Sequence, residues 1–128
     1  MSEHGSATLQ LQYDPDPSTP RAVRREFTRQ YETHPCLEAL LLCLSEVVTN
    51  AVLHARTRVH VTVSGTGDRV RVEVADGSPV KPVRRAFVEV SPTGRGLHLL
   101  DRLASSWGIE MTEDGKTVWF EIESEPPS

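Results

Sequence analysis

Residues 36–56 read CLEALLLCLSEVVTNAVLHAR, a stretch long enough for about five turns of helix. On a helical wheel of about 3.6 residues per turn, most of its apolar residues share one broad face, which predicts a buried helix from about Cys36 to Ala55. Glu46 and Asn50 stand one turn apart, outside the polar stripe and among small and apolar neighbours. A carboxylate and an amide in such surroundings are costly to bury unless something uses their hydrogen-bonding capacity.

Two oxygen-bearing side chains on one line of a helix suit Mg²⁺, which binds a few hard ligands together with water and phosphate oxygens. A nucleotide and metal site at Glu46 and Asn50 is therefore one hypothesis. The alternative is an amphipathic helix whose unusual polar residues meet solvent or backbone groups, and on this helix alone that alternative is favoured. For His54, a packing or capping role is favoured over a ligand role.

The sequence on either side of this helix predicts further strands and helices. Polar and apolar residues alternate over about 58–64 and 69–75, and the glycine-containing turn between them predicts a hairpin. A long loop rich in Gly, Pro and basic residues follows from Asp76 to Gly94. The remaining predicted elements are a strand at about 8–13, a helix that Pro20 opens and that runs to about Glu32, a helix from Gly94 or Gly96 to about Ser105, and strands at about 108–112 and 117–123. This order predicts an α+β sandwich with mostly antiparallel strands and helices on one face.

The composition limits the class of protein. With 128 residues, 38% of them apolar, the chain fits a single domain, residues 1–128, with a core at about 8–123 and frayed ends. The net charge of -4 argues against nucleic-acid binding, because no chain-wide positive field attracts phosphate backbones. The longest apolar run, Ala39–Leu44, is far shorter than a membrane helix, so no membrane association is expected.

The two cysteines, Cys36 and Cys43, would lie about 10 Å apart along one helix, which is beyond disulfide reach. Both are expected to be small buried apolar groups, and no zinc-ligand spacing is present. A reduced, cytoplasmic protein is therefore expected.

Three further motifs follow the helix. Asp76-Gly77-Ser78-Pro79 places a carboxylate at the end of a predicted strand, before a residue of free backbone conformation. Gly94-Arg95-Gly96-Leu97 stands at a predicted helix start, where exposed amide groups and the helix dipole receive phosphate oxygens. Gly115-Lys116-Thr117 opens the last strand. Each motif alone is a common turn, but together with the helix they form an ordered set of four signals.

That set resembles the ATPase superfamily shared by gyrase, heat-shock chaperones, histidine kinases and mismatch-repair proteins, and the resemblance covers about residues 8–123. It is closest to the small, single-domain anti-sigma-factor serine kinases, and segments 45–55 and 94–99 are similar to the actinobacterial members. The resemblance implies a Bergerat-type fold, which is a two-layer α+β sandwich with a mixed, mostly antiparallel sheet and helices on one face. The residues that carry it are Glu46-x-x-x-Asn50-Ala51-x-x-His54, Asp76, Gly94-x-Gly96-Leu97 and Gly115-x-Thr117.

The resemblance also implies roles for individual residues. Asn50 would hold Mg²⁺, and Glu46 would act as the general base toward an attacking hydroxyl. Asp76, with Ser78 close behind it, would read the adenine amino group, and Thr117 would lie behind Asp76 near the base. The expected phosphate contacts are the four consecutive residues Gly94, Arg95, Gly96 and Leu97.

The loop 79–93 would form a lid over the nucleotide, with Lys81, Arg84 and Arg85 as further phosphate or partner contacts. The chain departs from the superfamily pattern where Ser78 and Val80 replace two glycines that follow the aspartate. Those glycines allow close backbone approach, so the departure puts the tightness of the adenine fit in question.

The resemblance implies an anti-sigma-factor kinase that uses ATP and Mg²⁺ to phosphorylate a serine or threonine of a small antagonist protein, and so controls transcription by partner switching. A sigma factor would be the competing partner, and a homodimer is expected because family members commonly pair. The alternative is a catalytically idle switch that binds ATP only to set its shape. His54 is not expected to be a phosphorylation site, because no receiver domain or phosphoacceptor helix pair accompanies the motifs.

Overall fold

The computed structural model describes residues 7–54, 57–66, 69–77 and 96–123. The strands in these parts of the chain form one antiparallel sheet in the order β1-β2-β3-β5-β4, so β3 is the central strand. Helices pack on it, and the predicted α+β architecture is confirmed. The elements are β1 Ala7–Tyr13, α1 Thr19–Gln30, α2 Leu37–His54, β2 Val59–Thr66, β3 Arg69–Asp76, α3 Gly96–Leu103, β4 Ser106–Thr112 and β5 Gly115–Glu123.

Strict alternation along β2, β3 and β5 builds the sheet side of the core. The register aligns Val61, Val74 and Val118 in one row across the three strands. Because successive residues of a strand point to opposite faces, the alternating valines of these strands, with Phe120 and Ile122 of β5, lie on the face that the helices cover. The neighbouring row consists of Val63, Val72 and Phe120, and both rows are buried.

Helix α2 is the element on which the helical layer is built. It contacts both α1 and α3 and lies on β2, β3 and β5. None of the helices in the described parts of the chain combines the length and hydrophobicity that crossing a bilayer requires. The buried residues of α2 are Leu40, Cys43, Leu44, Val47, Val48, Asn50, Ala51 and Val52.

The sequence located each described element to within about two residues of its observed ends. The informative difference is at β5, which was expected to begin at Thr117 and begins at Gly115. The strand starts earlier because Gly115 already pairs with Thr112 of β4 across a tight turn. Lys116 pairs with Asp76 of β3 on one side and with Met111 of β4 on the other. Lys116 is therefore a strand residue and not part of the turn.

The other face of the sheet carries charged and aromatic side chains. Arg71 lies over the Trp119 ring, 4.3 Å from its centroid, and donates to Glu73 and Glu121. Burial lowers the pKa of Arg71, but its hydrogen bonds to the two carboxylates outweigh that effect and leave the pKa above its ordinary value. Arg69 also donates to Glu121. These contacts make the face away from the helices a polar surface.

Gly115 enters β5 with a φ of +148°, and a Cβ at this position would overlap the carbonyl oxygen of Asp76. Gly115→Ala should therefore lower the free energy of unfolding by about 2 kcal/mol or more, because the backbone must shift. Urea denaturation followed by circular dichroism measures the loss. Gly77→Ala is the matched control, since among the described residues the nearest atom to its Cβ would be 3.6 Å away. Equal losses in the two variants would contradict the close approach at Gly115.

Cys36 and Cys43 form no disulfide, as their spacing predicted. Cys43 is buried as expected, whereas Cys36, before the start of α2, is only half-buried. Burial raises the pKa of the Cys43 thiol to about 12. The folded state favours the protonated thiol, so Cys43 holds almost no reactive thiolate at pH 8. In a Cys36→Ser variant, Ellman's reagent at pH 8 should label no thiol in the native protein and one thiol in denaturant. Rapid labelling of the native variant would show that Cys43 is accessible and not buried.

Candidate functional site

The end of β3 brings a carboxylate and an ammonium together on the helix-covered face of the sheet. Asp76 continues the buried series of β3, Lys116 continues that of β5, and the register pairs the two residues directly. Lys116 Nζ lies 2.7 Å from Asp76 Oδ2, and the two side chains are 5% and 2% exposed, respectively. Each charge needs the other, because either one alone at this depth would carry a large desolvation penalty.

Two further contacts hold the chain around Asp76. The backbone N–H of Gly77 donates to Thr57 Oγ1 at 2.7 Å, which ties the end of β3 to the segment before β2. On the other side, Gly115 approaches the Asp76 backbone so closely that no side chain would fit between them. The chain at Asp76 is therefore held by β5 and by the segment before β2, as well as by the ion pair.

A cavity of about 440 Å³ lies at this end of the sheet and is lined in part by Asp76 and Lys116. Its lining also includes His60, Ala75 and Thr117, which the register aligns in one row across β2, β3 and β5. That row belongs to the face away from the helices, because its members alternate with the buried valines. The cavity therefore touches residues of both faces at the end of the sheet.

Asn50 on α2 is buried, with 3% of its surface exposed, and among the described residues its Oδ1 has no hydrogen-bond partner. An unsatisfied buried oxygen costs about 1–3 kcal/mol, and native proteins contain few of them. An amide oxygen is a hard ligand of the kind that Mg²⁺ prefers. The surroundings of Asn50 thus fit a site for a metal ion that a nucleotide brings with it.

Glu46 lies one turn before Asn50 but in a different environment. Glu46 is half-buried. Leu42 and Leu53 lie on the same side of α2 and are 46% and 43% exposed. Glu46 therefore lies at the border between the core and solvent. The helical pattern predicted the same environment for Glu46 and Asn50. In the structure, Asn50 lies in the interior and Glu46 lies at the border with solvent.

The predicted phosphate contacts are only partly described. Helix α3 begins at Gly96, as expected, and Leu97 follows in its first turn. Ser78, Gly94 and Arg95 lie outside the described residues, so their roles stay predictions. The same holds for the predicted lid, residues 79–93, with its basic residues Lys81, Arg84 and Arg85, and for the side chain of His54.

The register gives Thr117 and Lys116 different surroundings. Thr117 is half-buried and pairs with Ala75, whereas Lys116 lies directly across the ladder from Asp76. The role of Thr117 near the base stays a prediction. The residue in contact with Asp76 is Lys116, which occupies the variable position of the Gly115-x-Thr117 motif. A sequence signal was available, since Lys116 is in phase with the apolar residues Val118, Phe120 and Ile122. The sequence contained no comparable signal for the contact between Thr57 and Gly77.

A family model described as the histidine kinase-like ATPase domain matches residues 14–122, a range that runs from before α1 into β5. The chain belongs to the histidine kinase-like ATPase domain family. The match confirms the resemblance that the motifs predicted, and it supports ATP binding by this domain.

Individual relatives agree with this family. An uncharacterized protein of Streptomyces coelicolor is 36% identical over 90 residues, which are 66% of this chain and 85% of that protein. The fold is similar to the structure of the RsbU and RsbW domains of Rv1364c from Mycobacterium tuberculosis, with a TM-score of 0.68 and 22% identity. That match covers 94% of this chain, which spans 34% of the mycobacterial chain. The catalytic domain of the histidine kinase ThkA matches with a TM-score of 0.50 and 17% identity, over 94% of this chain and all of that domain.

The ion pair should behave as one coupled unit in the histidine kinase-like domain. Asp76→Leu and Lys116→Met should each lower the free energy of unfolding by about 3 kcal/mol, because each removes the ion-pair partner of a buried charge. The double variant should lose clearly less than the sum of the two, which urea denaturation of all four proteins measures. Arg58→Ala is the control, because the Arg58 to Asp14 pair is exposed and should contribute less than about 1 kcal/mol. Additive losses would contradict the coupling.

Proposed function

We propose that this chain binds ATP with Mg²⁺ and transfers the γ-phosphoryl group to a serine or threonine of a small antagonist protein, with a sigma factor as the competing partner. The observation that carries the proposal is the arrangement on α2. A buried amide oxygen that has no partner among the described residues lies at Asn50, one turn from a carboxylate at the solvent border, Glu46.

The nucleotide would be held at two ends. Asp76 accepts a hydrogen bond from the adenine amino group, and a guanine carbonyl in the same place would face the carboxylate unfavourably. At the other end, Asn50 ligates the metal ion, which neutralises charge on the phosphates when it is bound. The phosphates themselves would meet the backbone at the start of α3, where the first amide groups of a helix are available to anions.

In this proposal Glu46 is the general base. It accepts the proton of the partner's hydroxyl as that oxygen bonds to the γ-phosphorus and the bond to the bridging oxygen of the leaving ADP breaks. Asn50 does not exchange protons and contributes by holding the metal. Glu46 would therefore act on the incoming hydroxyl, and Asn50 would act on the phosphates through the metal ion that it holds.

The partner part of the proposal is supported by two observations. Segments 45–55 and 94–99 are similar to the anti-sigma-factor kinases, and the fold is similar to that of a structure that contains an RsbW domain. The exposed leucines on either side of Glu46 provide apolar surface where a second protein would present its hydroxyl.

Glu46→Gln should retain ATP binding while phosphorylation of the partner falls by a factor of about 100 or more, because the amide does not take up the proton. Asn50→Ala should lose the part of the ATP affinity that depends on Mg²⁺, because the ion loses its protein ligand. Calorimetry with and without Mg²⁺ measures the affinities, and labelled ATP measures transfer. Glu38→Gln is the matched control, since it removes an exposed carboxylate on the same helix and should change neither result. Unchanged transfer in Glu46→Gln would overturn the general-base role.

Capture of partners from cell extract with ATP, with ADP and without nucleotide separates the kinase from an idle switch. A kinase leaves phosphoserine or phosphothreonine on the captured antagonist. Capture that depends on nucleotide but produces no phosphorylation would contradict the kinase and leave the idle switch. Identical capture in the three conditions would contradict both.

A further inference from the structure

Strand β5 places a hydrogen-bond donor beside the carboxylate that reads adenine in the proposed function. Lys116 Nζ lies 2.7 Å from Asp76 Oδ2, and both residues line the cavity at the end of the sheet. The contact is buried and is fixed by direct pairing of the two residues across β3 and β5. A donor and an acceptor therefore stand side by side at this point, in a place that bulk water hardly reaches.

The edge of adenine has the complementary arrangement. Its amino group is a donor, and the adjacent ring nitrogen N1 is an acceptor. A lysine ammonium has three N–H donors and a carboxylate has about four acceptor positions, so the bond between Lys116 and Asp76 uses one position of each. The pair is thus equipped to bond both to a base and to itself, which would leave the buried charges satisfied when the base is bound.

We propose that Lys116 is a residue that determines base specificity, donating to adenine N1 while Asp76 accepts from the neighbouring amino group. This inference rests on the proposed nucleotide site and adds a second contact to it. Guanine in the same orientation would present a carbonyl to Asp76 and an N–H to Lys116, so both contacts would be mismatched. The ion pair therefore selects adenine at two adjacent atoms of the base.

The 1-deaza analogue of ATP, in which a C–H replaces N1, tests this contact directly. Calorimetry should show that the wild-type protein binds the analogue at least about tenfold more weakly than ATP, because a charged donor loses its acceptor. Equal affinities would overturn the proposal without any variant. If ATP itself fails to bind at millimolar concentration, it is the proposed function that fails, so the two failures are distinguishable.

Variants assign the discrimination to Lys116. In Lys116→Met the ratio of the two affinities should fall to near one, because no side-chain donor is left. Lys116→Gln retains an amide donor without the charge and should restore part of the ratio, and it also serves if the methionine variant fails to fold. If both variants weaken ATP and its analogue by the same factor, Lys116 only supports Asp76, and the proposed contact to N1 is wrong.

Discussion

The ion pair of Asp76 and Lys116 lies where it does because the apolar residues of β3 and β5 determine the register. A slip of one residue would turn whole rows of valine and phenylalanine toward solvent, at about 1.5–3 kcal/mol for each large side chain. The same slip would move both charges to the other face of the sheet. The hydrophobic core thus positions the polar site, and the close approach of Gly115 to the Asp76 backbone leaves little freedom for another arrangement.

The packing of helix α2 likewise fixes the positions of Glu46 and Asn50, the other half of the proposed site. Glu46 and Asn50 are about 6 Å apart along the helix axis, and the helix between and around them is held by packing against two helices and the sheet. Since the helix is anchored along most of its length, the proposed base and the proposed metal ligand keep their relative placement without a separate set of contacts. Among the described residues the oxygen of Asn50 has no partner, a local cost in an otherwise well-packed element, and such costs occur typically at functional sites.

Most of the fold was predictable because each element carries one clear period. The alternation of β2, β3 and β5 and the apolar face of α2 are strong enough to locate elements to within about two residues. The location of Asp76 followed from its place after a strand. Lys116 was missed because the motif was treated as a turn, although its phase with Val118 placed it on the buried face. Thr57 was not predictable, since its hydroxyl meets Gly77 only through the pairing of β2 with β3.

The two ends of the proposed nucleotide site are held with unequal strength. At the base end, Asp76 is held by a buried ion pair and by the close approach of Gly115, and the next residue, Gly77, bonds to Thr57 before β2. At the phosphate end, helix α3 has eight residues, of which Leu100 is the one buried residue among those whose side chains are described, and Asp101 ties it to Trp107 of β4. Elements with few buried contacts open at lower free energy than the core. A structural response to transfer of the γ-phosphoryl group would therefore cost less at α3 than at β3, so the protein would keep its contacts to the base while the surface near the phosphates changes.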